Sequence, residues 1–370
     1  MKLSFPHMGT VWVPMKALCQ ELGIDLVIPP QNTTRTLSLG VKHAPEGLCI
    51  PFKITLGNFI EALELGADTL IQAGGAGICR LGRYAKTQEW VMRDLGYQFD
   101  MLVVGVSDKK LRGLMGMFKA VSNNASWLRI FSSLRFAISK QGVIDRIERQ
   151  TQRVRPREVE KGTATRLYRE SIAAVDAASD SASLRRVEKD YAERLDAVPT
   201  IPGFEPLIVG VTGEFYVVLE PFSNLDVEIE LGKLGVEVHR ATFISEWTKF
   251  SFFNPFAKDY QSEIHEAARP YLSRDVGGDG WESVGEKVFH TGDWDGMVHL
   301  APFTCLPEIV AQNIFPATPG GLPVLTILCD EQTGKPGVVT RLEAFVDLLW
   351  QRKKKARKGD ITPYEAVPRH

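Results

Sequence analysis

The sequence predicts an α/β protein: two open parallel sheets, each with helices on both faces, and a mostly helical segment joining them. Three observations carry this expectation. The first and last thirds of the chain alternate short apolar runs with stretches of helical periodicity. Some runs, such as Met101–Val106, are apolar throughout, as strands buried on both faces should be. The middle third shows no convincing strand and is rich in arginine, glutamate and alanine.

In chain order, Lys2–Phe5 reads as a strand, Val11–Leu22 as a helix stopped by Gly23, and Leu26–Pro29 as a second strand. A helix over Ile54–Leu65 presents Leu56, Phe59, Ile60 and Leu63 on one face and ends at Gly66. Thr69–Ile71 is a strand, followed by a glycine-rich turn, a helix over Ala85–Leu95 and the strand Met101–Val106. Glu148–Glu160 and Thr163–Leu195 read as helical, and Pro199–Gly203 closes that segment. Alternation then resumes. Strands are expected at Leu207–Val211, Val236–Val238, Gly296–Leu300 and Pro323–Leu328, with a helix over Leu225–Leu234. A last helix is expected to open on a capping box, Thr340 with Glu343, and to bury Leu342, Phe345, Val346 and Leu349. The domains are expected at 1–122, 204–358 and, between them, a helical connection at 123–203; 359–370 is a tail.

Composition narrows the function classes. Forty-four basic residues balance 45 acidic ones, for a net charge of −1, so nothing points to nucleic acid or an anionic membrane surface. The basic run Arg352–Lys358 reads as a solvated helix end that complements the dipole. No leader and no bilayer-length apolar stretch are visible, so the expected location is the cytoplasm. Five cysteines, an odd number in a large chain, argue against a disulfide framework.

Three of the five cysteines stand in unusual settings. In Gly47-Leu48-Cys49-Ile50-Pro51-Phe52-Lys53, Pro51 suits the first turn of a helix. Cys49 then lies near a helix N-terminus, where the dipole favours thiolate, the form that binds metal. A buried apolar cysteine ahead of a helix is the alternative. In Gly74-Gly75-Ala76-Gly77-Ile78-Cys79-Arg80-Leu81-Gly82, Gly75 and Gly77 permit positive φ and close approach to something bulky or anionic. Arg80 occupies the last glycine position of a dinucleotide fingerprint, and no phosphate loop occurs anywhere. Arg80 would offset the charge of an anionic cluster or bind a ligand phosphate; a tight turn over a core cysteine is the alternative. In Pro302-Phe303-Thr304-Cys305-Leu306-Pro307-Glu308, two prolines fix the backbone around the third cysteine, as a ligand or as part of a rigid turn. Cys79 and Cys305 both follow the carboxyl end of an expected strand, where ligands bind in open α/β sheets. Cys19 and Cys329 read as packing residues. His43 and His299 lie near Cys49 and Cys305, as supporting donors or as satisfied histidines.

Taken together, these motifs resemble the 2-hydroxyacyl-CoA dehydratase family, known also by its 2-hydroxyglutaryl-CoA dehydratase D-component. The resemblance rests on Cys49–Lys53 with Gly57-Asn58 and Gly66-Ala67-Asp68, on Gly75–Tyr84, and on Gly213–Tyr216 with Pro221–Asn224. Asp330–Gly334 and Gly337–Phe345 are similar to its CoA-substrate-specific activase-related branch. The resemblance implies two flavodoxin-like domains with added helices. It also implies Cys49, Cys79 and Cys305 as ligands of a [4Fe–4S] cluster, or of one half of a double-cubane cluster, with Gly75, Gly77 and Arg80 around it. The implied partner is a separate ATP-dependent iron–sulfur activator that injects low-potential electrons in anaerobic metabolism, and the implied assembly is a homo- or heterodimer. Nothing in the sequence marks an acyl-CoA pocket. Two other readings stand beside a reductase or dehydratase-like component. One is a non-catalytic iron–sulfur or maturation protein; the other is a cluster-free protein with Cys79 as a reactive thiol.

Overall fold

The computed structural model describes residues 1–74, 78–105, 116, 118–119, 121–122, 125–245, 260–274 and 276–358. It is an α/β structure with two parallel sheets. The chain forms two compact units. Among the described residues, Met1–Val143, Val175–Leu184 and 244–245 build the first; Ile144–Ala174, Arg185–Phe243 and 260–358 build the second. The helices of 123–203 are divided between them.

In the first unit, strands β1 (Leu3–Ser4), β2 (Thr69–Gly74) and β3 (Asp100–Gly105) pair in that order, all parallel. The expected strand at Leu26–Pro29 is reduced to a single parallel bridge from Leu26 to Leu3. Side-chain alternation along β2 sends Ile71 to one face and Leu70 to the other. On Ile71's face lies a core with Leu18, Cys19 and Leu22 of α1 (Trp12–Leu22) and Ile130 and Leu134 of α5 (Trp127–Val154). On Leu70's face lie Phe52, Leu56 and Phe59 of α3 (Ile50–Glu64) and Tyr84 and Met92 of α4 (Leu81–Asp94).

Helix α3 starts four residues earlier than the periodicity suggested, because Cys49 caps it and Pro51 fits its first turn. It is buried on every side from Ile50 to Ala62. Its cover is α2 (Thr34–His43), a helix the sequence pattern did not reveal. The two backbones touch through glycines. A Cβ on Gly57 would stand 1.9 Å from the Thr36 carbonyl oxygen, and one on Gly40 would stand 1.7 Å from that of Lys53. The polar groups on this buried helix are matched. Thr36 Oγ1 donates to Glu61 Oε2 at 2.6 Å, and Asn58 Nδ2 donates to the Pro30 carbonyl at 2.8 Å. Asn58 Oδ1 accepts the His7 amide at 2.8 Å.

In the second unit the strand order is β5 (Val236–Arg240), β4 (Leu207–Gly213), β6 (Gly296–Pro302), β7 (Val324–Cys329), again all parallel. Trp294 and Met297 pack with α11 (Tyr260–Ala268), α12 (Gly280–Phe289) and α13 (Leu306–Ile314). The other face receives α14 (Lys335–Lys358), whose Leu349 and Phe345 press against Gly296. Leu342, Phe345, Val346 and Leu349 are buried as expected. The expected capping box is not formed. Thr340 lies inside α14 and turns its hydroxyl back to the Pro336 carbonyl at 3.1 Å, because Pro336 already supplies the helix start. Arg240 joins Glu148 of α5 to Glu228 of α10 (Val227–Lys233), tying the helical residues of this unit to its sheet. Among the described residues, no helix is long and apolar enough to cross a membrane.

Candidate functional site

The first unit brings the Cys49 and Cys79 loops together. Cys49 is the N-cap of α3, in extended backbone and buried. Its sulfur lies 2.6 Å from Oη of Tyr84, one turn into α4. Phe52 meets the Tyr84 ring edge-on, with centroids 5.1 Å apart. Cys79 is half-buried and stands two residues ahead of α4, its carbonyl accepting the Gly82 amide at 3.2 Å. Arg80 spends one donor on this junction: Nη1 reaches the Gly47 carbonyl at 2.5 Å, two residues before Cys49. The guanidinium thus holds one cysteine loop to the other, and its remaining donors are those left to serve an anion. Below the loops, Gln72 of β2 donates to Gln88 of α4, which donates to Thr55 of α3, each at 2.8 Å. Gly75 and Gly77 lie outside the described residues.

In the second unit Cys305 follows β6 and caps α13, with Pro307 in the first turn. Thr304 before it takes a left-handed φ of 69°, and the Phe303 amide donates to the Cys329 carbonyl at 2.9 Å. Cys305 and Cys49 therefore share one local design, a buried cysteine at the N-cap of a helix whose second residue is proline. Cys19 and Cys329 differ from them. Burial pushes each thiol up to about 12, with Asp330 and Glu214 adding to the effect at Cys329, so both remain neutral packing groups. None of the five cysteines is in a disulfide.

The same end of the second sheet holds a buried acid–histidine network, of which the sequence reading noted only His299. His299 of β6 and Glu308 of α13 are fully buried, with His299 Nε2 and Glu308 Oε2 2.7 Å apart. Ser283 Oγ donates to the same Oε2 at 2.8 Å, and Thr326 Oγ1 stands 3.2 Å from His299 Nδ1. Glu308 Oε1 is buried and has no hydrogen-bond partner among the described residues. Glu214, immediately after β4, accepts the Val217 amide at 2.9 Å, and Asp279 accepts the Phe215 amide at 2.9 Å. Burial, opposed by backbone amides, pushes the Glu214 carboxyl up to about 7, and Glu308 adds to the rise. Asp279 is held well above the carboxylate range by burial and then by Glu282, Glu308 and Glu214. These acids are far apart in sequence; the only local signal was position, Glu214 after the strand-ending Gly213 and Glu308 one turn past Cys305.

The raised acid gives a pH signature. Between the ordinary value of 4.5 and about 7, folded Glu214 keeps a proton that the unfolded chain releases. Its contribution to stability is therefore full below pH 4.5 and lost as pH rises through 7. A shift of this size corresponds to at most about 3–4 kcal/mol. Glu214→Gln can still accept the Val217 amide. It should match wild type in urea melts near pH 5 and exceed it near pH 8. Parallel stability curves at the two pH values would refute this account.

Among the described residues, no three His, Cys, Asp or Glu side chains form a group that could hold a metal ion. Compared with known proteins, the chain matches no protein-family model and no curated protein. Fold and site together define an α/β protein with two parallel sheets. Each unit carries cysteine at a helix start beside the carboxyl end of a strand.

Proposed function

We propose that this chain is a cytoplasmic iron–sulfur protein of the 2-hydroxyacyl-CoA dehydratase type. On this reading it accepts low-potential electrons from a separate ATP-dependent activator and works as a homo- or heterodimer. Cys49, Cys79 and Cys305 would hold a [4Fe–4S] cluster or one half of a double-cubane cluster. The observation that carries the reading is the shared setting of Cys49 and Cys305, each the N-cap of a helix with proline at the second position. The donor chemistry fits an anionic iron–sulfur group. All three ligands are thiols, and a helix N-terminus stabilises the thiolate that binds iron. When bound, such a group supplies one-electron transfer at low potential. The residues around it do the rest. Arg80 and Tyr84 tie the Cys79 turn to the Cys49 loop, and α3 is clamped so that Cys49 has one orientation.

Strand order supports the expected flavodoxin-like architecture. Counting Leu26 as a second strand, each sheet runs second, first, third, fourth along the chain. In that order ligands bind beyond the carboxyl ends of the first and third strands. Cys79 and Cys305 each follow the third strand of their sheet.

The test is iron and acid-labile sulfide per chain after strictly anaerobic purification. Wild type is expected to carry about four irons, as a cubane cluster does. Cys49→Ala, Cys79→Ala and Cys305→Ala should each lose them, and Cys19→Ala should not. A folded wild type that takes up no iron on reconstitution refutes the proposal.

A further inference from the structure

We infer that Tyr84 is a positioning residue that tunes the reduction potential of the iron–sulfur group by donating its hydroxyl hydrogen to the sulfur of Cys49. The inference rests on the reading above and deepens it. Cys49 and Tyr84 are both buried, 8% and 4% exposed, so bulk water does not solvate the sulfur. A metal-bound sulfur carries no hydrogen, which leaves it the acceptor and Tyr84 Oη, at 2.6 Å, the donor. The donor is held in place from two sides. Phe52, fully buried, packs edge-on against the tyrosine ring at an interplanar angle of 88°. Phe52 and Cys49 belong to the same helix start, so the ring's support and the sulfur move as one body. On the tyrosine's own helix, Arg80 fixes the entry of α4 to the Gly47 carbonyl. A tyrosine with an ordinary packing role would need only its ring buried; here the hydroxyl is aimed at a sulfur inside a closed site.

The direction of the effect follows from charge. An added electron increases the negative charge on the cluster sulfurs, so a hydrogen bond to one of them stabilises the reduced form more than the oxidised form. Hydrogen bonds to the sulfurs are among the factors that set such potentials. Removing the hydroxyl should make reduction harder.

The test uses the full chain, purified anaerobically, in wild-type, Tyr84→Phe and Phe59→Leu forms. Potential is titrated with titanium(III) citrate and read by electron paramagnetic resonance. Each cluster gains one electron, titanium(III) becomes titanium(IV), and no bond of the protein breaks. Tyr84→Phe is expected to keep its iron and its melting temperature. Its midpoint should fall by about 59 mV, a tenfold change in a one-electron equilibrium. Phe59→Leu, which disturbs the same buried core but leaves the Phe52 support and the Tyr84 hydroxyl in place, should stay near wild type. A midpoint unmoved in Tyr84→Phe, an equal fall in both variants, or loss of iron from Tyr84→Phe overturns the inference and leaves the iron–sulfur reading standing. A wild type without iron overturns that reading, and the inference with it.

Discussion

Gly57→Ala is expected to destabilise the first unit by about 3 kcal/mol, the upper part of the usual range for overpacking. Two effects oppose each other. Alanine favours a helix interior over glycine by about 1 kcal/mol. Against that, the new methyl would stand 1.9 Å from the Thr36 carbonyl oxygen and 3.0 Å from the Gly40 amide nitrogen. Those atoms are backbone, so no side chain can swing away. Helix α3 cannot retreat either, because Phe52, Leu56 and Phe59 are already packed in the core that includes Leu70 of β2. Helix α2 must lift, and lifting it stretches the Thr36–Glu61 and Arg35–Glu61 hydrogen bonds. Gly40→Ala meets the Lys53 carbonyl at 1.7 Å and should behave the same way. Gly47→Ala is the control: a Cβ there meets nothing within 4 Å, although the residue is only two positions from Cys49. Urea melts of the three variants decide the matter. If Gly57→Ala is as stable as wild type, helix propensity has won and the close approach of α2 and α3 is not a constraint.

The contact between α2 and α3 also shows why part of this fold could be read from the sequence and part could not. The apolar face of α3 was visible because Leu56, Phe59 and Ile60 recur at helical spacing. That spacing implied one covered face, whereas the helix is buried all round. The missing cover, α2, has the sequence Thr-Arg-Thr-Leu-Ser-Leu-Gly-Val-Lys-His, with little apolar content, and it packs through a glycine backbone rather than a hydrophobic stripe. Only the Thr33–Thr36 capping box marks its start. The last helix failed the other way: Thr340 and Glu343 satisfied a capping pattern inside a helix that had already begun at Lys335. The settings of Cys49 and Cys305 were legible because proline acts locally, at Pro51 and Pro307. Their partners were less so. Arg80 looked like an anion ligand and bonds a carbonyl, since only the folded chain shows Gly47 beside it. Tyr84 gave no periodic signal that would distinguish a sulfur donor from a core ring.

The largest single loss is expected for Glu308→Ala, about 3–5 kcal/mol when the cavity and the stranded donors are taken together. Glu308 and His299 are both fully buried, and Ser283 shares the same carboxyl oxygen. Removing the carboxyl leaves His299 Nε2 and Ser283 Oγ without the partner they now share, in a place where water does not replace it. Glu308→Gln keeps a carbonyl oxygen of the same reach and should cost less. His299→Ala strands the other half of the pair, so the double variant should lose less than the sum of the two single losses, as residues in one buried network do. The pH dependence adds a sharper check. Glu308 helps to hold the Asp279 and Glu214 carboxyls up, so its removal relieves them once they ionise. The loss in Glu308→Ala should therefore be smaller near pH 8 than near pH 5, whereas an isolated cavity would cost the same at both. Additive single and double losses, or a loss that does not change with pH, would mean that Glu308 is a packing residue that happens to touch His299. A smaller loss at high pH would mean that Glu308 and the Glu214 and Asp279 carboxyls form one electrostatically coupled set. Since Cys305 caps the helix that carries Glu308, that set would then lie one helical turn from a proposed cluster ligand.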